Sequence, residues 1–140
     1  MNLSDHFTLE ELTVTDHRTL DNTPDPAARA NLQRLAVFLE LVKDRLGGRP
    51  IMVSSAYRSA AVNAACGSRE TSQHRRGTAA DVRVPGMTPD AVVRAVMASG
   101  LAYDQIIREF DAWTHISIPN TGTPRKIALI IDRAGTRPFS

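Results

Sequence analysis

Cysteine is almost absent. Cys66 is the only one in 140 residues, so no intrachain disulfide can form and cysteine-based zinc ribbons or fingers are excluded by count. Any metal held by this chain must take histidine and carboxylate ligands. Lysine is nearly missing too: Lys43 and Lys126 are the only two among 17 basic residues, so arginine carries almost all of the positive charge behind a formal net charge of +2. With a pI near 9.1, the mildly basic surface suits an anionic polymer. Aromatic residues make up 5% of the chain and do not interleave with the arginines as a base-stacking platform requires, which argues against nucleic acid. No window approaches the roughly 18 apolar residues of a spanning helix. Met1 to Phe7 also shows no basic stretch leading into an apolar one. We therefore expect no membrane insertion, and synthesis in the cytoplasm without a signal peptide.

What is present is ordinary globular composition, 42% hydrophobic and 23% charged, over one domain's length. A single domain over residues 1–140 is expected, with 134–140 a frayed tail. Thr8 and Glu11 form a capping box for a short helix. After the breaker run Asp21 to Pro26, Leu32, Leu35, Ala36, Leu39, Val42 and Leu46 recur at helical spacing up to Gly47-Gly48. Ile51 to Tyr57 reads as a strand, Ser59 caps a short helix ending near Cys66, and Ala79 to Val84 is a second strand. Thr88-Pro89-Asp90 opens a helix that ends at Gly100, with Val92, Val93 and Val96 inward. Three further strands follow, Asp104 to Phe110, Trp113 to Ile118 and Lys126 to Asp132. Helices first and strands later indicate an α+β domain.

The chemistry concentrates in two places. Ser72-Gln73-His74-Arg75-Arg76-Gly77-Thr78-Ala79-Ala80-Asp81 offers an imidazole from a polar loop and, after a tight return through Gly77, a carboxylate at the start of a strand. In Trp113-Thr114-His115-Ile116-Ser117, the period of two puts Thr114, Ile116 and Ile118 on one face and Trp113, His115 and Ser117 on the other. His74, Asp81 and His115 would give one metal ion three ligands and an open position, the arrangement of a catalytic rather than a structural zinc site. The plainer reading is a surface loop with a capping Asp and a half-buried strand histidine. His6, His17 and Cys66 read as structural or surface residues.

These residues resemble the zinc D-Ala-D-Ala carboxypeptidases and related peptidoglycan peptidases, which share a fold with the hedgehog signalling domain. The resemblance runs through Asp21 to Pro24, Val53 to Ser59, Val62-Asn63, the Ser72 to Asp81 loop, and Tyr103 to Glu109 leading into Trp113 to Ser117. It is strongest with the small phage and prophage members. It implies a mainly antiparallel sheet with helices packed on one side, and one Zn²⁺ on His74, Asp81 and His115. Arg58 is then expected beside the metal to hold the substrate carbonyl or oxyanion, with Ser72, Tyr57 and Trp113 as substrate contacts.

The dipeptidase branch keeps a Glu three residues before the strand histidine, where this chain has Ala112, so the base is expected to be Glu109, as in the hedgehog-like branch. A hairpin centred on Ala112 would put Glu109 directly across from His115. A two-residue loop of Asp111 and Ala112 would instead put Arg108 there. The implied activity is zinc-dependent hydrolysis of a peptide bond in peptidoglycan stem peptides, as a carboxypeptidase or an L-Ala-D-Glu type endopeptidase of the endolysin kind. The protein would act as a monomer released to the wall by another factor. The alternatives are a non-catalytic zinc-stabilised binding module or a phage structural module of the same fold.

Overall fold

The protein was described over residues 1–140 as a computed structural model. Its longest helix forms where the apolar period is 3.6. Asp25 accepts a hydrogen bond from the Ala28 amide, Pro26 occupies the first turn, and α2 runs Pro26–Arg45 behind the four-residue α1, Leu9–Leu12. Leu32, Leu35, Ala36, Leu39 and Val42 are buried along one stripe, each large side chain contributing about 1.5–3 kcal/mol of burial. After Leu46, Gly47 adopts a left-handed φ of 76° and ends the helix.

β1 (Met52–Ser55) leads through α3 (Ala60–Ala65) and α4 (Gln73–Arg76) to β2 (Ala79–Arg83). Then come α5 (Pro89–Ala98), β3 (Gln105–Glu109), β4 (Trp113–Ser117), β5 (Ile127–Asp132) and β6 (Gly135–Pro138). The six strands form one sheet in the order β1-β2-β4-β3-β5-β6, antiparallel except for the parallel β3–β5 pair. Ala80, Val82, Ile106, Ile116 and Ile118 share a single core with the apolar stripes of α2 and α5. Alternation sends Asp81, His115 and Glu109 to the other face. No helix is long and apolar enough to cross a membrane.

Three local expectations are corrected. Residues 134–140 are not a frayed tail, because β6 pairs with β5 and Arg137 closes on Asp132 through two 2.8 Å hydrogen bonds. Every side chain of β6 is exposed, so no apolar alternation marked it. The stretch before Gly77 is not an irregular loop: Ser72 caps a one-turn helix, and Gly77 ends it at φ 78°.

The β3–β4 hairpin matches neither anticipated register. Glu109 pairs with Trp113 and Ile107 with His115, leaving Phe110–Ala112 as the connection. Phe110 and Asp111 both take left-handed φ values, 54° and 51°, and the Ala112 amide closes on the Glu109 carbonyl at 3.0 Å. The tight turn thus forms without the glycine that such φ values ordinarily call for.

Candidate metal centre

The β2–β4 ladder places Asp81 directly across from His115. His74 reaches the same point from α4, and the three side chains are buried with ligand atoms all within 4.8 Å of one another. His74 Nε2 lies 3.3 Å and His115 Nδ1 3.2 Å from the same oxygen, Asp81 Oδ1. The rings meet edge to face at 5.1 Å.

The tautomers decide what this cluster wants. His74 Nδ1 is 2.7 Å from the Ala56 carbonyl, which can only accept, so the proton of a neutral His74 sits on Nδ1. Its Nε2 then turns a lone pair toward a carboxylate oxygen. Two acceptors in contact repel unless a proton or a cation lies between them, and two neutral imidazoles with one carboxylate are a borderline-hard set suited to a divalent ion. The backbone carbonyl behind His74 is the partner that metal-ligating histidines ordinarily have. His115 Nε2 is buried without a hydrogen-bond partner. The residues therefore fit a metal ion. Burial works to raise the Asp81 carboxyl, but the His115 and His74 imidazoles beside it outweigh burial and hold the group far below the usual carboxylate range.

Around the cluster, Arg58 is fixed by three side chains: Nε to Ser55 Oγ at 3.1 Å, Nη1 to Ser68 Oγ at 3.0 Å and Nη2 to Asp81 Oδ2 at 3.4 Å. Ser72 accepts from the His74 amide as the α4 cap, so it touches a candidate ligand through the backbone. Glu109 lies on the His115 face, diagonal to it by the observed register. Burial pushes the Glu109 carboxyl up and the Asp81 charge adds to that, while His115, the Trp113 indole and Arg58 pull the other way. Asp111 points elsewhere, with 73% of its side chain exposed and paired to Arg108.

The cleft over Arg58 and Asp81 encloses about 290 Å³ and is walled by Trp113 of β4, Arg83 of β2 and Ser54 and Ser55 of β1. The Trp113 indole N–H is buried without a hydrogen-bond partner. Tyr57, expected as a substrate contact, is instead 3% exposed, packs in the core and does not line this cleft. The irregular stretch from Ala56 to Ser59 has no period from which a facing could be read. His6 is exposed and pairs with Glu40.

Sequence reasoning missed that Thr15, Asp16, His17 and Cys66 also border the cleft. The link is Asn22, whose amide donates to the Thr13 and Tyr57 carbonyls at 2.9 and 3.0 Å while its oxygen accepts from the Ser59 amide at 2.7 Å. The Asp21 to Pro24 stretch was the only signal that this segment belongs near the site.

A buried His-Asp-His cluster behind an open cleft defines a candidate mononuclear metal centre of the kind used in hydrolysis. The sequence profile of the peptidase M15 family matches residues 5–117, which include all three candidate ligands, and the chain belongs to that family. Membership implies a metallopeptidase. No curated relative matches the sequence.

Proposed function

We propose that the chain is a zinc peptidase that hydrolyses an amide bond in peptidoglycan stem peptides, as a carboxypeptidase or an endopeptidase of the endolysin kind. The observation that carries this reading is the convergence of His74 Nε2, Asp81 Oδ1 and His115 Nδ1 on one point beside a cleft, with Glu109 on the same face of the sheet. A zinc ion held by these three residues would supply a Lewis acid that polarises the scissile carbonyl and lowers the pKa of water toward about 7.

The chain's own residues account for the rest. Glu109 takes the proton of the attacking water and returns it to the leaving amine, and a carboxyl raised by burial is better matched to that exchange near neutral pH than an exposed one. Arg58, held rigid by Ser55, Ser68 and Asp81, offers its positive charge to the developing oxyanion. The mildly basic surface favours an anionic wall polymer.

The reading is tested by incubating zinc-loaded protein with muropeptides, with and without chelator. New amino groups that appear only with metal support it. Release of reducing sugar instead, or cleavage that persists in excess chelator, refutes it.

A further inference from the structure

Arg83 has no anionic partner. It lies two residues beyond Asp81 on β2, so both side chains leave the same face of the strand. Its Nε donates to the Ala112 carbonyl at 3.0 Å, which orients the guanidinium and leaves its terminal nitrogens free. Arg58, the other arginine of the cleft, already has Asp81 as its anionic partner and two serines beside it. The side chain of Arg83 is the one residue common to two concavities. One is the catalytic cleft, and the other is a groove of about 450 Å³ walled by Met52, Val84, Met87 and Val92. Asp16, exposed on another wall of the cleft, repels an anion from its own side.

A guanidinium held by one nitrogen, with its outer edge open, matches the two oxygens of a carboxylate. Asp81 and Arg83 are separated by about 7 Å along the strand. An extended peptide covers that distance in about two residues.

We propose that Arg83 determines specificity by binding a carboxylate of the substrate peptide within two residues of the scissile bond, with an apolar neighbour of that residue received by the adjoining groove. The proposal rests on the peptidase reading above. The carboxylate has two possible sources, the C-terminus of the peptide or an acidic side chain.

Three synthetic peptides separate them: L-Ala-D-Glu-L-Lys-D-Ala-D-Ala, the same peptide with a C-terminal amide, and the same peptide with D-Gln in place of D-Glu. With zinc-loaded parent protein, removing the charge that Arg83 binds should raise KM about 10- to 100-fold with little change in kcat. The amide that carries this penalty names the source. In Arg83→Gln the preference should shrink to near unity, and Arg83→Lys, which keeps the charge without the fork, should restore part of it. Zinc content is measured in every sample, so that a change at Asp81 is not mistaken for lost recognition. A preference that survives intact in Arg83→Gln, or a parent that cleaves all three peptides alike, overturns the proposal while leaving the peptidase reading standing. Failure of the zinc-loaded parent to cleave any of the three overturns the peptidase reading, and the proposal with it.

Discussion

His115 Nδ1 stands 3.2 Å from Asp81 Oδ1, and the two residues are direct partners in the β2–β4 ladder. Their spacing is therefore set by backbone pairing in the centre of the sheet rather than by loop conformation. His74 is added from α4, steadied at Nδ1 by Ala56 and at its backbone by the Ser72 cap. Two candidate ligands on a rigid ladder and one on a capped turn would make a preorganised centre.

The purified protein should retain about one zinc ion per chain at neutral pH. His74→Ala and His115→Ala should each abolish that retention, whereas His6→Ala, which removes only an exposed pair with Glu40, should leave it intact. Elemental analysis after gel filtration measures all three. Full zinc in both cluster variants would refute the ligand assignment.

Gly77 lies between His74 and Asp81, and its left-handed φ is only part of its role. A Cβ built there would stand 2.8 Å from the Ala28 carbonyl oxygen, whereas at Gly67, with a similar φ, it would meet nothing. Both Ala substitutions pay about 1–2 kcal/mol for the backbone conformation. Gly77→Ala should cost about 1–3 kcal/mol more, because α2 backbone must move. Urea unfolding of the two variants checks the difference, and equal losses would contradict it.

Asp104 gives a pH signature of stability. Hydrogen bonds from the Arg125 guanidinium, then its amide and Gln73, hold the carboxyl below its usual range against the opposing effect of burial. Gln73 neighbours His74, so this network also ties α4 to the chain before β5. A depressed folded-state value means stabilisation fully present above the unfolded value of about 3.9 and lost as pH falls through the lower folded-state value. Arg125→Gln should lower stability at pH 7 by about 1–2 kcal/mol, the modest size reflecting a half-exposed arginine. The gap from the parent should narrow below about pH 4. A gap that widens on acidification would contradict the assignment.

The clustering of His74, Asp81 and His115 was legible in the sequence because its signals are local. A period of two fixes which face His115 occupies, and a glycine-terminated turn returns the chain from His74 to Asp81. The helix caps at Thr8, Asp25, Ser59 and Thr88 were legible for the same reason.

The hairpin register was not. It depends on Phe110 and Asp111 accepting left-handed φ values, which Asp tolerates but nothing in the Phe110 side chain announces. Glu109 nevertheless shares the His115 face in the observed register, because parity survives a shift of two. The parallel β3–β5 pairing, the exposed β6 and the approach of Thr15–His17 to the cleft all depend on partners distant in sequence, and no local pattern carries them.

The most direct test of the account compares Glu109→Gln with the parent and with Asp111→Asn, each assayed for amide hydrolysis of muropeptides at a measured zinc content. Glutamine keeps the shape of the side chain but cannot take the proton. Glu109→Gln should therefore keep its zinc and lose about 10²-fold or more in rate, while Asp111→Asn, altered at an exposed carboxylate paired to Arg108, should stay near the parent. Parent-like hydrolysis by Glu109→Gln at full zinc occupancy would contradict the account.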